Sequence, residues 1–225
     1  ASVVVQRSLF RDCTGADITL GSSVYSFSVA QQTELSFVNC LFSGSGPADA
    51  VVNVFSTNLK LVNCTFADNL TDVGVGFTGE TENTVSNCVF DRASAFAAPV
   101  GPPEGVSRNV FPGASAGNID ATPDFIDADG GDYRLAPGSP GIDAANADAY
   151  ADTRAGILDL AGLARARDDA GTMNTGVGTL QFLDAGAYEF QGTSVSTDAF
   201  DVNGDGTIDV FDLISFVEGL EALQP

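Results

Sequence analysis

The chain has no histidine and a single lysine, Lys60, among its 225 residues. The first absence removes the commonest general acid–base side chain and with it any nucleophile of the Ser-His type. Nine cationic residues face thirty carboxylates, a formal net charge of −21. A phosphate backbone is therefore repelled over most of the surface, and nucleic acid is not expected as a partner. No apolar run approaches the roughly 20 residues that a membrane helix needs, so no membrane span is expected. Ala1 opens the chain without a charged and apolar leader. The repeat is already running at Val3-Val4-Val5, from which further turns ahead of these residues are expected. What is present suffices for a sizeable core, since 44% of the residues are hydrophobic. The excess of aspartate suits calcium binding or salty surroundings, and equally a solvated acidic face.

Three stretches repeat one pattern: Phe37-Val38-Asn39-Cys40-Leu41-Phe42, Leu61-Val62-Asn63-Cys64-Thr65-Phe66 and Val85-Ser86-Asn87-Cys88-Val89-Phe90, with successive cysteines 24 residues apart. A fixed period of this size, carried by Val, Leu and Phe, predicts stacked units that bury their apolar side chains against one another. Ser8-Leu9-Phe10 and Asn109-Val110-Phe111 extend the series, giving rungs 32, 24, 24 and 21 residues apart. Upstream of each cysteine lies a second column, Val24-Tyr25-Ser26-Phe27, Val52-Asn53-Val54-Phe55 and Gly74-Val75-Gly76-Phe77. Two visible columns per turn and variable loop lengths predict a parallel β-coil in which each strand pairs with its equivalent one rung away.

Alternation within a rung sends Leu59 and Leu61 inward and Lys60 to solvent. The recurring Asn39, Asn63 and Asn87 suit a bend, because asparagine tolerates the left-handed conformation and its side chain can bond a stacked neighbour; Arg7 and Arg108 hold that place at the terminal rungs. Each stacked Phe, once buried, contributes roughly 1.5–3 kcal/mol. Cys40, Cys64 and Cys88 occupy equivalent places of a parallel ladder, where side chains point the same way, so buried free thiols are predicted and not disulfides. Cys13 lies outside that column.

The pattern Asn-Cys-x-Phe at turn-length spacing resembles the right-handed parallel β-helix proteins of the pectate lyase-like superfamily over about the first half of the chain, and the handedness comes with that resemblance. After Phe111 the period breaks. Thr122-Pro123-Asp124-Phe125-Ile126-Asp127, the run from Gly131 to Asp143 and Leu183-Asp184-Ala185-Gly186-Ala187-Tyr188-Glu189-Phe190 alternate short strands with Pro and Gly turns. This segment resembles the tail that closes many bacterial surface β-helix proteins of the choice-of-anchor kind, which implies that it covers the apolar end of the last rung. Asp127, Asp129 and Asp132 match part of a calcium loop, and clustered aspartates in turns are equally common.

Asp201-Val202-Asn203-Gly204-Asp205-Gly206-Thr207-Ile208-Asp209-Val210-Phe211-Asp212 carries the spacing of a twelve-residue calcium loop. A hard cation of this size takes six to eight oxygens, here from Asp201, Asn203, Asp205, the Thr207 carbonyl, Asp209 (directly or through water) and Asp212, with Gly206 at the sharp turn. Leu213, Ile214, Val217 and Leu220 follow at helical spacing. With Asp at the twelfth place and no helix before the loop, the module resembles one type I dockerin repeat, which implies Ca2+ as cofactor and a cohesin-like protein as possible partner.

The expected fold is all-β: a right-handed parallel β-helix over residues 1–113, an irregular β capping segment over 114–191, a linker over 192–199 and a small calcium loop-helix module over 200–225. The expected function is a secreted or cell-surface protein that binds or displays against polysaccharide, with the calcium tail for attachment or protein interaction. Two alternatives follow from the resemblances, a fragment of a calcium-dependent polysaccharide lyase or glycoside hydrolase and a cohesin-binding component of an enzyme complex. Lys60, Arg92 and Arg108 are the cations available as a lyase base on the middle rungs, with Asp68 and Arg92 read as a stacked ion pair. No Asp or Glu column survives alignment of the rungs for a hydrolase, so no catalytic residue is assigned.

Overall fold

The computed structural model describes residues 2–12, 23–28, 34–45, 50–55, 58–69, 75–78, 83–92, 96–97, 106–114 and 117–192. The chain divides into two compact units, Ala1–Phe190 and Gln191–Pro225. The first begins with β1 (Ser2–Gln6), β2 (Leu9–Arg11) and β3 (Ser23–Ser28), followed by a second turn of β4 (Glu34–Val38), β5 (Leu41–Ser43) and β6 (Ala50–Phe55). The third turn is β7 (Asn58–Val62), β8 (Thr65–Ala67) and β9 (Val75–Thr78), and the fourth is β10 (Thr84–Ser86), β11 (Val89–Phe90) and β12 (Phe96–Ala97). The last strands of the stack are β13 (Val106–Ser107), β14 (Val110–Phe111) and β15 (Ile119–Asp120).

Each strand pairs in parallel with its counterpart in the next turn. The described strands of the stack form three sheets, β1-β4-β7-β10-β13, β2-β5-β8-β11-β14-β15 and β3-β6-β9-β12. The repeat predicts two columns and the structure has three, because the repeated motif itself spans two strands with the asparagine at the corner between them. Asn39, Asn63 and Asn87 take φ of 53, 52 and 58°, and Arg7 and Arg108 take 47 and 59°. The left-handed bend is therefore adopted by every residue predicted for it. Bend amides carry the ladder round the corner, from Asn39 N–H to the Val62 carbonyl at 3.2 Å and from Asn63 N–H to the Ser86 carbonyl at 3.1 Å. A second left-handed corner closes the other end of the second sheet at Asp12, Gly44 and Asp68. A Cβ on Gly44 would come within 2.5 Å of Asp12 Oδ1, which explains the glycine.

Two details of register differ from expectation. Phe27, Val54 and Phe77 share a position in the third sheet, so Phe55 lies one residue beyond the phenylalanines it resembles in sequence. The period also continues past Phe111: β15 pairs with β14 through Val110 and Ile119, and Arg108 N–H donates to the carbonyl of Gly117, which is itself left-handed at φ 87°. Gly117-Asn118-Ile119 is thus a sixth, shortened copy, with Asn118 Oδ1 accepting from the Asn109 side chain at 2.9 Å. Its nine-residue spacing hides it from a search at the longer period.

The interior holds Leu35, Phe37, Phe42, Leu59, Leu61, Phe66, Val85 and Phe90 with Cys40, Cys64 and Cys88. Rings of Phe10, Phe42, Phe66 and Phe90 stack face to face at 4.7 Å, and Phe111 ends the column edge-on at 6.1 Å from Phe90. Lys60 is half-buried between the inward Leu59 and Leu61, on the outer side of the sheet. Cys40, Cys64 and Cys88 are free buried thiols, as a parallel ladder requires. A hydrogen bond with the Cys64 thiol and burial push the Cys40 thiol far up, which makes it inert as a nucleophile. Cys13 lies outside the described residues.

Residues beyond the stack contain β16 (Phe125–Asp127) antiparallel to β17 (Asp132–Leu135), a short helix α1 (Ala147–Ala151) capped by Asn146, and otherwise turns and isolated bridges. From sequence this segment is expected over the apolar end of the last rung. It lies instead along the side of the stack, where Ala145, Ala147, Tyr150 and Leu183 cover Val38 and Val62. Tyr133 covers Leu41 and Ala67, and Ala185 covers Val89 and Val110. The physical reason is the outer apolar row of the repeat, Val38-Val62 on one sheet and Leu41-Val89-Val110 on the next, which a solenoid facing water on all sides would leave wet. The segment is a lateral strap.

Candidate functional site

Two surfaces of the first unit carry chemistry. One is the outer side of the first sheet. Ser36, Lys60 and Thr84 share one register row and Glu34 and Asn58 the next row out, giving hydroxyl, amine, amide and carboxylate groups stepped by one strand spacing. Ser36 Oγ donates to Glu34 Oε1 at 3.1 Å. Parallel pairing forces this arrangement, since equivalent residues of successive turns must stack. The result is a polar strip in which Glu34 is exposed, Asn58, Lys60 and Thr84 are half-buried and Ser36 is buried, continued by the exposed Val4 on β1.

The other surface is the corner where the strap meets the asparagine ladder. Asn39 Nδ2 donates to Tyr150 Oη at 2.9 Å and to the Leu158 carbonyl at 3.0 Å, and Asn63 Nδ2 to the Asp184 carbonyl at 2.7 Å. Asn87 bonds Asn146 in both directions, Nδ2 to its carbonyl at 2.9 Å and Oδ1 from its N–H at 2.7 Å. Only the pair from Asn87 Nδ2 to Asn63 Oδ1, at 2.9 Å, is the neighbour-to-neighbour bond anticipated for the ladder. The strap takes the rest, because its backbone enters a dry interface and needs partners. Arg108 belongs to this interface too, its Nε on the Ala144 carbonyl and its Nη2 on that of Thr175. A guanidinium held between two strap carbonyls is a fastener, which weighs against Arg108 as a base.

The strap buries four carboxyls, Asp143, Asp159, Asp184 and Glu189, and one guanidinium, Arg165, of which Asp184 and Glu189 lie beside the arginine. Arg165 Nη2 donates to the carbonyls of Asp184 at 2.9 Å and Gly186 at 2.6 Å, and its Nε lies 3.7 Å from Glu189 Oε2. Asp159 accepts from the amides of Leu163 and Glu189, and Glu189 from those of Arg167 and Asp184. Asp184 accepts from those of Asp143 and Phe190. Burial raises three of these acids, Asp143 to about 6, Asp184 to about 7 and Glu189 to about 9, with Arg165 partly offsetting it for the last two. Beside the cluster opens a mostly apolar cavity of about 240 Å³ walled by Ala147, Tyr150, Ile157, Leu180 and Leu183 and touching Arg154 and Arg165. Sequence marks Asp184 and Glu189 only through the closing motif, and nothing in composition or period ties Arg165 to them across 24 residues.

The calcium ligands predicted at Asp201, Asn203, Asp205, Thr207, Asp209 and Asp212 lie outside the described residues, as does the linker from residue 193 onward. The alternative loop at Asp127, Asp129 and Asp132 does not form a ligand set. Asp132 grips Arg134, which holds its carboxyl below the usual range, and Asp127 Oδ1 accepts from Gly130 N–H at 2.9 Å. Among the described residues no three Asp, Glu, Cys or His side chains converge as a metal site. Asp68 N–H donates to the Asp91 carboxylate at 2.6 Å. No helix among the described residues is long and apolar enough to cross a membrane.

A family model described as a right handed beta helix region matches residues 2–119. Neither the curated proteins nor the solved structures yield a match. With just over half of the chain inside the family match and its strands stacked in parallel register turn upon turn, the chain belongs to the right handed beta helix family.

Proposed function

We propose that this is a secreted or cell-surface β-helix protein that binds or displays against polysaccharide, carrying a calcium-binding tail for attachment or protein interaction. The strip of Glu34, Asn58, Lys60 and Thr84 supports this reading, because a regular polymer of hydroxyl-bearing rings needs donors and acceptors repeated along one face. The dockerin-like pattern at 201–212 supports the tail's role, with a cohesin-like protein as the partner class that this likeness suggests.

Incubation of the full chain with acidic and neutral polysaccharides, with calcium and with chelator, tests the first part. The expected outcome is retention on a polysaccharide, without new ultraviolet absorbance from unsaturated uronate on the acidic ones, weakened severalfold by Lys60→Ala. Absorbance that Lys60→Ala abolishes would make the protein a lyase and overturn the binding reading.

Calorimetry tests the second part. Heat on adding millimolar calcium is expected for the full chain and is lost in Asp205→Ala, since that substitution removes a central oxygen donor. No heat in the unaltered chain removes the calcium assignment.

A further inference from the structure

We propose that the carboxyls of Asp184 and Glu189 beside the guanidinium of Arg165, together with Asp143, whose N–H binds Asp184, form a pH-sensitive clasp that fastens the strap to the asparagine ladder in acidic to neutral medium and slackens it in alkaline medium. The geometry carries the idea. All four side chains are buried, and a fourth acid, Asp159, is buried beside them, so acids outnumber the cation four to one. No well-formed hydrogen bond reaches either carboxylate oxygen of Asp143, the Asp169 backbone N–H only partly offsetting the effect of burial, and the charges facing it are Asp168 and Asp169. Asp184 faces Arg165 and Asp143, and Glu189 faces Arg165 and Asp184. From the stack the cluster meets Asn63, which does not titrate, and Arg108 reaches the Ala144 carbonyl next to Asp143. Full ionisation would place four negative charges against one positive charge away from water, an arrangement that costs free energy. The clasp is also joined directly to the ladder, since the Asp184 carbonyl accepts from both Arg165 and Asn63, and Gly186 N–H donates to the Asn87 carbonyl at 2.7 Å.

The direction follows from linkage. Carboxyls that hold protons more tightly when folded stabilise the fold fully below their unfolded values. That contribution is lost as pH rises through about 6 for Asp143, about 7 for Asp184 and about 9 for Glu189. The absence of histidine makes the window unusually clean. Exposed carboxylates have finished titrating below pH 6, while lysine, tyrosine and arginine titrate above 9, so the clasp dominates between.

Unfolding of the full chain in denaturant with chelator, from pH 5 to 9, tests the proposal against Asp143→Asn and Asp184→Asn. The unfolding constant of the unaltered protein is expected to rise well over tenfold across this range, and that of Asp143→Asn about tenfold less. Cys13 and the terminal amine titrate alike in both and cancel in the difference. Hydrogen exchange corrected for intrinsic rate is expected to show Gly186 and Ala187 losing protection with pH before Phe66 does. A flat profile in the unaltered protein, or equal slopes in the protein and Asp143→Asn, overturns the clasp. Should Asp184→Asn fail to fold, Asp143→Asn decides alone, because its oxygens accept no hydrogen bond that asparagine would break.

Discussion

Phe66→Ala is expected to destabilise the first unit by about 3–5 kcal/mol, read as a lower denaturant midpoint, because it empties the middle of the aromatic column. The ring lies 4.7 Å from both Phe42 and Phe90, within 10 and 13° of parallel. Its loss removes apolar burial and two ring contacts together. Collapse cannot fill the gap, since rungs above and below are held in register by backbone bonds such as Thr65 N–H to the Cys40 carbonyl at 2.9 Å. Phe111→Ala should cost less, because that ring is edge-on at the end of the column. In a stack whose units touch only their neighbours, a central gap also weakens coupling between the halves, so a broader transition is expected. An unchanged midpoint for Phe66→Ala would show that the column is not the source of stability.

Arg165→Ala should be as damaging, about 3–5 kcal/mol, because it leaves the Asp184 and Gly186 carbonyls without a donor in a dry interior and empties the space of a fully buried side chain. Arg165 and Glu189 are only 1% and 0% exposed at their side chains. Arg165→Lys is expected to recover little, since an ammonium cannot present the planar fork that serves Asp184 and Gly186 at once. Where the loss appears is as informative as its size. Stack and strap lie in one compact unit, so a single transition is expected, with exchange at Leu160 rising because its N–H is bound to the Ala187 carbonyl at 3.0 Å. A shift below about 1 kcal/mol would mean that the two carbonyl bonds of Arg165 contribute no more than a single ordinary hydrogen bond.

The stack was legible because its physics is local and repeated. Asn39, Asn63 and Asn87 mark the bends, and the alternation around Lys60 marks inside and outside, since each is fixed by steric rules within a few residues. The offset at Phe55 and the short copy at Gly117-Asn118-Ile119 were not, because register is set by hydrogen bonding between turns and not by resemblance between segments. Arg108 shows the same limit. As a cation on a rung it is a candidate base, and only the positions of Ala144 and Thr175 reveal its task.

By itself, the sequence determined that this chain coils into parallel rungs around a phenylalanine column with buried free thiols. It also determined that histidine chemistry is absent and that an acidic, calcium-loop-like segment follows. Tertiary structure decided where the residues after the short sixth copy go, along the flank of the stack, and so which asparagines bond to one another and which to the strap. It alone assembled Arg165, Asp184, Glu189 and Asp143. Periodicity constrains neighbours one turn apart, whereas a strap is placed by the total apolar and polar surface it must cover, a quantity that exists only once the turns have stacked.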